Sequence, residues 1–150
     1  MKDSKDSPIN FGNLNICSLR NKVPDLCVFL SQRPQLVHLF AVNETRLDSS
    51  FSDSQVRIPN YSVFRRDSKR SGQTGIACYV HHSIADVVKR RTDLEDENIE
   101  CLWTEVKNGH ASPILVGCIY RNPAETSEWI DNFVSLMDRV KVHNAPVILL

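Results

Sequence analysis

Apolar residues along this chain gather into short runs that stop abruptly at polar or charged positions. Such runs predict strands over 11–17, 61–66, 75–81, 84–91, 99–106, 114–120 and 146–150. Residues 35–42 are nearly continuous apolar sequence, which suits a strand buried on both faces. Val23, Leu26, Cys27 and Leu30 recur at helical spacing, so 22–32 predicts a helix with Pro24 in its tolerant first turn. A second helix is expected from Thr126 or Ser127, with Glu128 and Asp131 favouring its positive end. Its apolar stripe is Trp129, Ile130, Phe133, Leu136, Met137 and Val140. The strands over 61–66 and 75–81 form a hairpin joined by a polar tip, 67–72, and an acidic turn over 93–97 separates two later strands. Residues 48–53, rich in Ser and Asp, form a loop. Residues 1–8 form a disordered lead-in to a single domain over 9–150. Strands with two interposed helices predict a mixed α/β arrangement in which helices cover sheets.

Composition narrows the partners. At 150 residues, with 41% hydrophobic and 24% charged side chains, the chain can bury one sizeable core. Its 18 basic and 18 acidic groups cancel, so any affinity for nucleic acid has to come from local clusters. No run approaches bilayer length and the first residues lack a signal-peptide core, so the expectation is an intracellular protein of nucleus or cytoplasm, not secreted and without a membrane partner. The five cysteines have no Cys-x-x-Cys pair and no zinc-like histidine spacing; most sit in apolar runs and are expected to be buried and reduced. Asn43-Glu44-Thr45 and Asn60-Tyr61-Ser62 spell glycosylation acceptors by coincidence.

Three runs deliver polar groups to strand ends. Leu39-Phe40-Ala41-Val42-Asn43-Glu44 ends in an acid, and hard cations such as Mg²⁺ often take only one or two protein carboxylates. Read alone, Glu44 is more simply a strand-end acid that caps or pairs. Asn15 closes another run; an amide offers a donor and an acceptor without charge, and alone it is a turn former. Tyr120 ends the run from Ile114, as a phenol able to donate to a phosphate oxygen or as an amphipathic ring with a wet hydroxyl. Arg65, Arg66, Lys69 and Arg70 form the densest basic cluster and, with Arg20 and Lys22, are the candidate DNA-phosphate contacts; a charged hairpin tip is also commonly just solvated. Lys89-Arg90-Arg91 is expected to pair with the acidic turn, and His81 and His82 to lie at the surface. No phosphate-binding Gly-rich loop, zincin motif or nucleophile elbow is present.

The order Leu14-Asn15 with Ser18-Leu19-Arg20-Asn21-Lys22, then Asn43-Glu44-Thr45, then Ile119-Tyr120-Arg121-Asn122-Pro123 resembles the endonuclease/exonuclease/phosphatase superfamily. Residues 58–67, Gly75-Ile76-Ala77-Cys78-Tyr79-Val80 and Leu102-Trp103-Thr104-Glu105-Val106-Lys107 draw the likeness toward the apurinic-type endonuclease domain of non-LTR, jockey-like retrotransposons. The resemblance runs from about Asn10 to Leu150. It implies the N-terminal half of a four-layer α/β sandwich, Mg²⁺ on Glu44, catalytic roles for Asn15 and Tyr120, and DNA as partner with no small-molecule cofactor. It also implies a reverse transcriptase in the parent polyprotein. The family's Gly-Asp-Phe-Asn and Ser-Asp-His motifs are not among these 150 residues. The expectation is therefore an incomplete DNA-nicking phosphodiesterase, inactive by itself, its sheet lacking a facing layer. The alternatives are a non-catalytic remnant with weak nucleic-acid binding and a host phosphatase or phosphoesterase of the same fold.

Overall fold

The computed structural model describes residues 8–68, 74–107, 109 and 112–150. In chain order the elements are β1 (Phe11–Asn15), α1 (Val23–Ser31), β2 (Leu39–Asn43), β3 (Tyr61–Arg66), β4 (Ile76–His81), β5 (Val88–Arg90), β6 (Glu100–Val106), β7 (Ile114–Tyr120), α2 (Ser127–Lys141) and β8 (Val147–Leu149). They form two four-stranded sheets, ordered β1-β2-β4-β3 and β5-β6-β7-β8. The β1–β2 and β7–β8 pairs are parallel and the remaining neighbours antiparallel.

Side-chain alternation along the central strands builds the layers. On β2, Phe40 and Val42 pack under α1 with Leu19 and Leu26, while Leu39 and Ala41 face the second sheet. On β7, Val116 and Cys118 meet them from the other side, while Leu115 and Ile119 turn outward to Leu136 and Val140 of α2. All five β2 residues are buried, as a strand sandwiched on both faces must be. The result is four layers: α1, first sheet, second sheet, α2. The α/β sandwich stands, and one expectation falls. The first sheet does not lack a facing layer, because strands from the latter half of the chain supply it; the apolar exposure is displaced to Ile130 and Val134 on α2 and to Val147 and Leu149 on β8.

Two further expectations change. Residues 84–91 are not one strand: 82–87 form a 3₁₀ helix, opened by His81 whose ring accepts from the Ser83 amide, and only Val88–Arg90 pair with β6. Ile130 leaves the buried stripe of α2, being 48% exposed. Of the hairpin tip, residues 69–72, with Lys69 and Arg70 among them, lie outside the described residues, as does most of the 1–8 lead-in.

Several hydrogen bonds tie the sheets together at one end, among them an Arg90 donor to the Arg65 carbonyl at 3.0 Å. Arg66 Nη1 donates to the carbonyls of Ile99 (3.2 Å) and Cys101 (2.6 Å), and its Nη2 to that of Asp96. The backbone N–H of Gly75 donates to Glu100 Oε1 at 2.5 Å. On the α2 side of β7, Gly117 lies under the Trp103 ring, whose Cη2 would sit 2.7 Å from an added Cβ, so only glycine fits. The five cysteines are free thiols; Cys78, Cys101 and Cys118 are buried and Cys27 is half-buried, whereas Cys17 is exposed.

Candidate metal-binding active site

The register aligns one row of polar residues at the mouth of the cleft between the sheets. Asn15 lies opposite Asn43, Asn43 opposite Ile76, and Ile76 opposite Arg66, which makes one cross-strand row of the first sheet. Tyr120 and Glu100 are opposite one another in the second sheet. By alternation both belong to the face that carries Leu102 and Cys118, so the two rows confront each other.

Glu44 follows directly after β2, and the chain there is held from both sides. The Ser18 amide donates to the Glu44 carbonyl at 2.7 Å and the Leu19 amide to that of Thr45 at 2.8 Å; across the strand, the Thr45 and Arg46 amides donate to the Gly75 and Thr74 carbonyls. The segment is kinked as well as clamped. Glu44 (φ 54°) and Arg46 (φ 55°) are left-handed, as are Cys17 and Ser18 on the facing loop. Each such non-glycine residue costs roughly 1 kcal/mol, and such strain clusters at functional sites. Gly75 (φ 113°) is needed here because Thr45 Oγ1 would lie 2.5 Å from its Cβ.

The kink brings together three side chains distant in sequence. Asn15 Nδ2 donates to Glu44 Oε1 at 2.8 Å, and the Tyr120 hydroxyl donates to the same oxygen at 2.6 Å. Asn15 is itself oriented by the Cys17 amide, which donates to its Oδ1 at 3.1 Å. Among the described residues, Glu44 Oε2 has only the Arg46 guanidinium, at 3.8 Å. The Tyr120 and Asn15 hydrogen bonds, aided by Arg46, hold the Glu44 carboxyl below its ordinary range against the opposing effect of burial. Burial, reinforced by the carboxylate it faces, pushes the Tyr120 phenol up to about 12. At neutral pH the pair is a carboxylate and an intact phenol donor. Beside them a cleft of about 490 Å³ is lined by Tyr120, Glu100, Arg66, Thr74, Asn122 and Trp129, among others.

The basic residues divide by environment. Arg20 and Lys22 are exposed on the rim: Arg20 reaches the Arg46 carbonyl (2.9 Å) and Asp48 (3.2 Å), and Lys22 Nζ the Ile16 carbonyl (2.6 Å). The hairpin arginines are committed inside the protein. Arg65, only 10% exposed, pairs with Asp67 (2.6 Å) and Asp53 (2.9 Å) and donates to the Phe51 carbonyl, while Arg66 forms an inter-sheet tie. Neither guanidinium projects from a solvated tip. Lys89 is exposed, Arg90 engages Glu95, and Arg91 bridges Asp93 and Glu105. His81 stands edge-on to Tyr61 at the end of β4 remote from the site and is partly buried, whereas His82 is exposed.

Arg46 was not singled out by sequence reasoning, yet its guanidinium borders Glu44 and Cys17, and its Nε is buried without a hydrogen-bond partner among the described residues. The signal was its place two residues after the acid.

Neither a protein-family model nor a curated protein matches the chain by sequence. Solved structures do match in shape. The APE2 catalytic domain of Xenopus laevis aligns with a TM-score of 0.65 at 17% identity, over 93% of this chain and 56% of that one. A 3′ phosphatase, NExo, from Neisseria, solved bound to a product DNA hairpin, gives 0.64 at 16%, over 95% and 55%. The AP endonuclease LMAP from Leishmania major gives 0.60 at 15%, over 89% and 45%. The fold is that of the endonuclease/exonuclease/phosphatase proteins. The chain spans about half the length of the solved structures it matches.

In this endonuclease/exonuclease/phosphatase fold the residues present fit one arm of a hard-cation site. Glu44 is ionised, one of its oxygens is only loosely engaged, and an amide stands beside it. They do not make a cage: among the described residues no group of three or more His, Cys, Asp or Glu is disposed to hold a metal ion. Nor is any described helix long and apolar enough to cross a membrane.

Proposed function

We propose that the chain is the first part of a Mg²⁺-dependent phosphodiesterase domain of the DNA-nicking kind used by non-LTR retrotransposons. The observation that carries this reading is the convergence of Asn15 and Tyr120 on one oxygen of Glu44, at the mouth of a fold shared with AP endonucleases. Glu44 would hold the cation. When bound, Mg²⁺ supplies positive charge that stabilises the phosphate and the leaving oxygen. Asn15 fixes the carboxylate and offers an uncharged contact, and Tyr120, protonated at neutral pH, donates toward the same place. Arg20 and Lys22 lie on the rim where a nucleic-acid backbone would pass. The DNA hairpin bound to the Neisseria phosphatase supports DNA as partner. The motif order over 14–22 and 58–67 favours the retrotransposon lineage over a host phosphatase, and an intracellular location goes with it.

By itself this stretch is proposed to be inactive. Positioned acid–base catalysis is worth about 10²–10⁴ in rate, and among the described residues no group of three or more His, Cys, Asp or Glu is disposed to hold a metal ion. That is the observation favouring a non-catalytic role for the 150 residues alone.

Mg²⁺ titration of thermal unfolding tests the metal role: Tm is expected to rise for the parent and to stay fixed in Glu44→Gln. A parent indifferent to Mg²⁺ would defeat the reading. Supercoiled plasmid is expected to stay intact with the chain in Mg²⁺. Robust nicking, abolished by EDTA and by Glu44→Ala, would overturn the inactivity. An in-frame Gly-Asp-Phe-Asn, a later Ser-Asp-His and a reverse transcriptase encoded after Leu150 are the expected marks of the lineage.

A further inference from the structure

Asn43 closes β2 one residue before Glu44 and is only 7% exposed, one of three buried polar or charged residues in the described core. Its Oδ1 is buried and has no hydrogen-bond partner among the described residues. An unmet acceptor out of water costs about 1–3 kcal/mol, so a group of this kind in a folded protein needs a reason. Packing alone does not supply one: an apolar side chain would occupy the place without that cost.

Direction supplies the reason. Leu39 and Ala41 precede Asn43 at even spacing and face the second sheet, so Asn43 faces it too. Its cross-strand neighbours are Asn15 and Ile76, and Ile76 belongs to the same inter-sheet core. Asn43 is therefore the inner member of the polar row whose outer member, Asn15, already serves Glu44. The β2 end thus offers two oxygens in succession, a charged one that turns out through the left-handed kink at Glu44 and a neutral one that stays in the cleft.

Resting on the reading of Glu44 as a cation ligand, we propose that Asn43 Oδ1 is an acceptor for water on that cation. Hydrated Mg²⁺ keeps several of its waters, and each presents protons that need acceptors. An uncharged amide meets that need at a buried position, where a second carboxylate in the metal-free protein would have to be desolvated. Asn43 is a positioning residue: it acts on the hydration shell and leaves the direct bond to Glu44. Outer-sphere partners of this kind are worth about 10–100-fold in metal affinity.

The experiment compares the parent with Asn43→Leu, Asn43→Asp and Glu44→Gln, using the metal alone as probe. Cation affinity is read from Mn²⁺ electron paramagnetic resonance with Mg²⁺ competition, and metal-free stability from thermal unfolding. Asn43→Leu is expected to raise the metal-free Tm by about 2–4 °C, since an unmet polar group is removed. The same variant is expected to weaken cation binding at least about tenfold. Asn43→Asp, which keeps the acceptor, is expected to bind at least as tightly as the parent. Asn43→Ala, too small to clash, repeats the affinity measurement should the leucine variant not fold. Parent-like affinity in both the leucine and alanine variants, with Glu44→Gln devoid of binding, overturns the role of Asn43 and leaves Glu44 standing. A parent that binds no cation, or a Glu44→Gln that binds as the parent does, overturns both.

Discussion

Tyr120→Phe removes one oxygen from the protein and leaves the ring that packs against the inter-sheet core. The lost hydroxyl donates to Glu44 Oε1 at 2.6 Å and is the largest of the effects holding the carboxyl below its ordinary 4.5. Hydrogen bonds to charged groups are worth about 1.5–3 kcal/mol. The Asn15 donor at 2.8 Å and water would recover part of this; the remainder is lost from the ionised form, so the carboxyl is expected to titrate higher than in the parent. The direction follows from linkage. A carboxyl whose pKa is depressed by folding contributes stability that is present above its unfolded value and disappears as pH falls through the folded value. The variant is therefore expected to be less stable than the parent at pH 7, with the deficit closing in acid below the depressed Glu44 pKa. Alkali gives the converse: a phenol raised to about 12 contributes stability that is full below about pH 10 and lost between there and 12, a loss the phenylalanine variant does not suffer. Carbon-13 NMR of the Glu44 carboxyl measures the shift directly, and urea unfolding from pH 3 to 8 measures its consequence. A Glu44 titration unmoved by the substitution would refute the reasoning.

Replacing Arg66 with Met strips donors from the Ile99, Cys101 and Asp96 carbonyls and is expected to cost about 2–4 kcal/mol in urea unfolding; a cost below about 0.5 kcal/mol would show that the sheets do not depend on this tie. Gly117→Ala forces a methyl against the Trp103 ring, at 2.7–2.8 Å, and is expected to cost about 1–3 kcal/mol with a shifted near-ultraviolet tryptophan signal. In DNA binding measured against salt, Arg20→Ser is expected to lower the slope by about 0.9 for each phosphate the guanidinium no longer neutralises, while Arg65→Ser leaves the slope unchanged and lowers stability instead. A flattened slope for Arg65→Ser would return the hairpin to the DNA surface.

Periodicity exposed much of the fold because most strands end where their chemistry changes. The run 114–120 coincides with β7, and α2 begins where Thr126 and Ser127 suggested. Residues 84–91 misled because Ile84, Val87 and Val88 satisfy a strand pattern and a tight helical turn equally well; the His81 ring bonding the Ser83 amide decided it. The facing layer was missed because layer assignment depends on which strand joins which sheet, a matter of contacts far apart in sequence. The same blindness affected Arg66, whose acceptors lie 30 to 35 residues away. Among site residues, the order of motifs pointed to Asn15, Glu44 and Tyr120, whereas nothing in spacing tells that partners 29 and 76 positions from Glu44 reach the same oxygen. Asn43 and Arg46 flank the acid in the chain, and only burial distinguishes their unmet atoms.

Because Tyr120 ends a strand of one sheet and Glu44 directly follows a strand of the other, their 2.6 Å hydrogen bond joins the two sheets across the mouth of the cleft. The core between the sheets mixes small residues, Ala41 and Cys78 on one side and Cys118 on the other, with larger ones such as Leu39, Ile76 and Leu102. The core thus works as a spacer, with the reactive groups as the jaws of a gauge. A methyl added in the middle can leave the protein folded yet open the jaws by a fraction of an ångström, enough to degrade a hydrogen bond whose strength falls steeply with distance. Volume at these apolar positions is therefore constrained by chemistry performed at the cleft mouth, and substitutions there are expected to alter the titration of Glu44 without touching it.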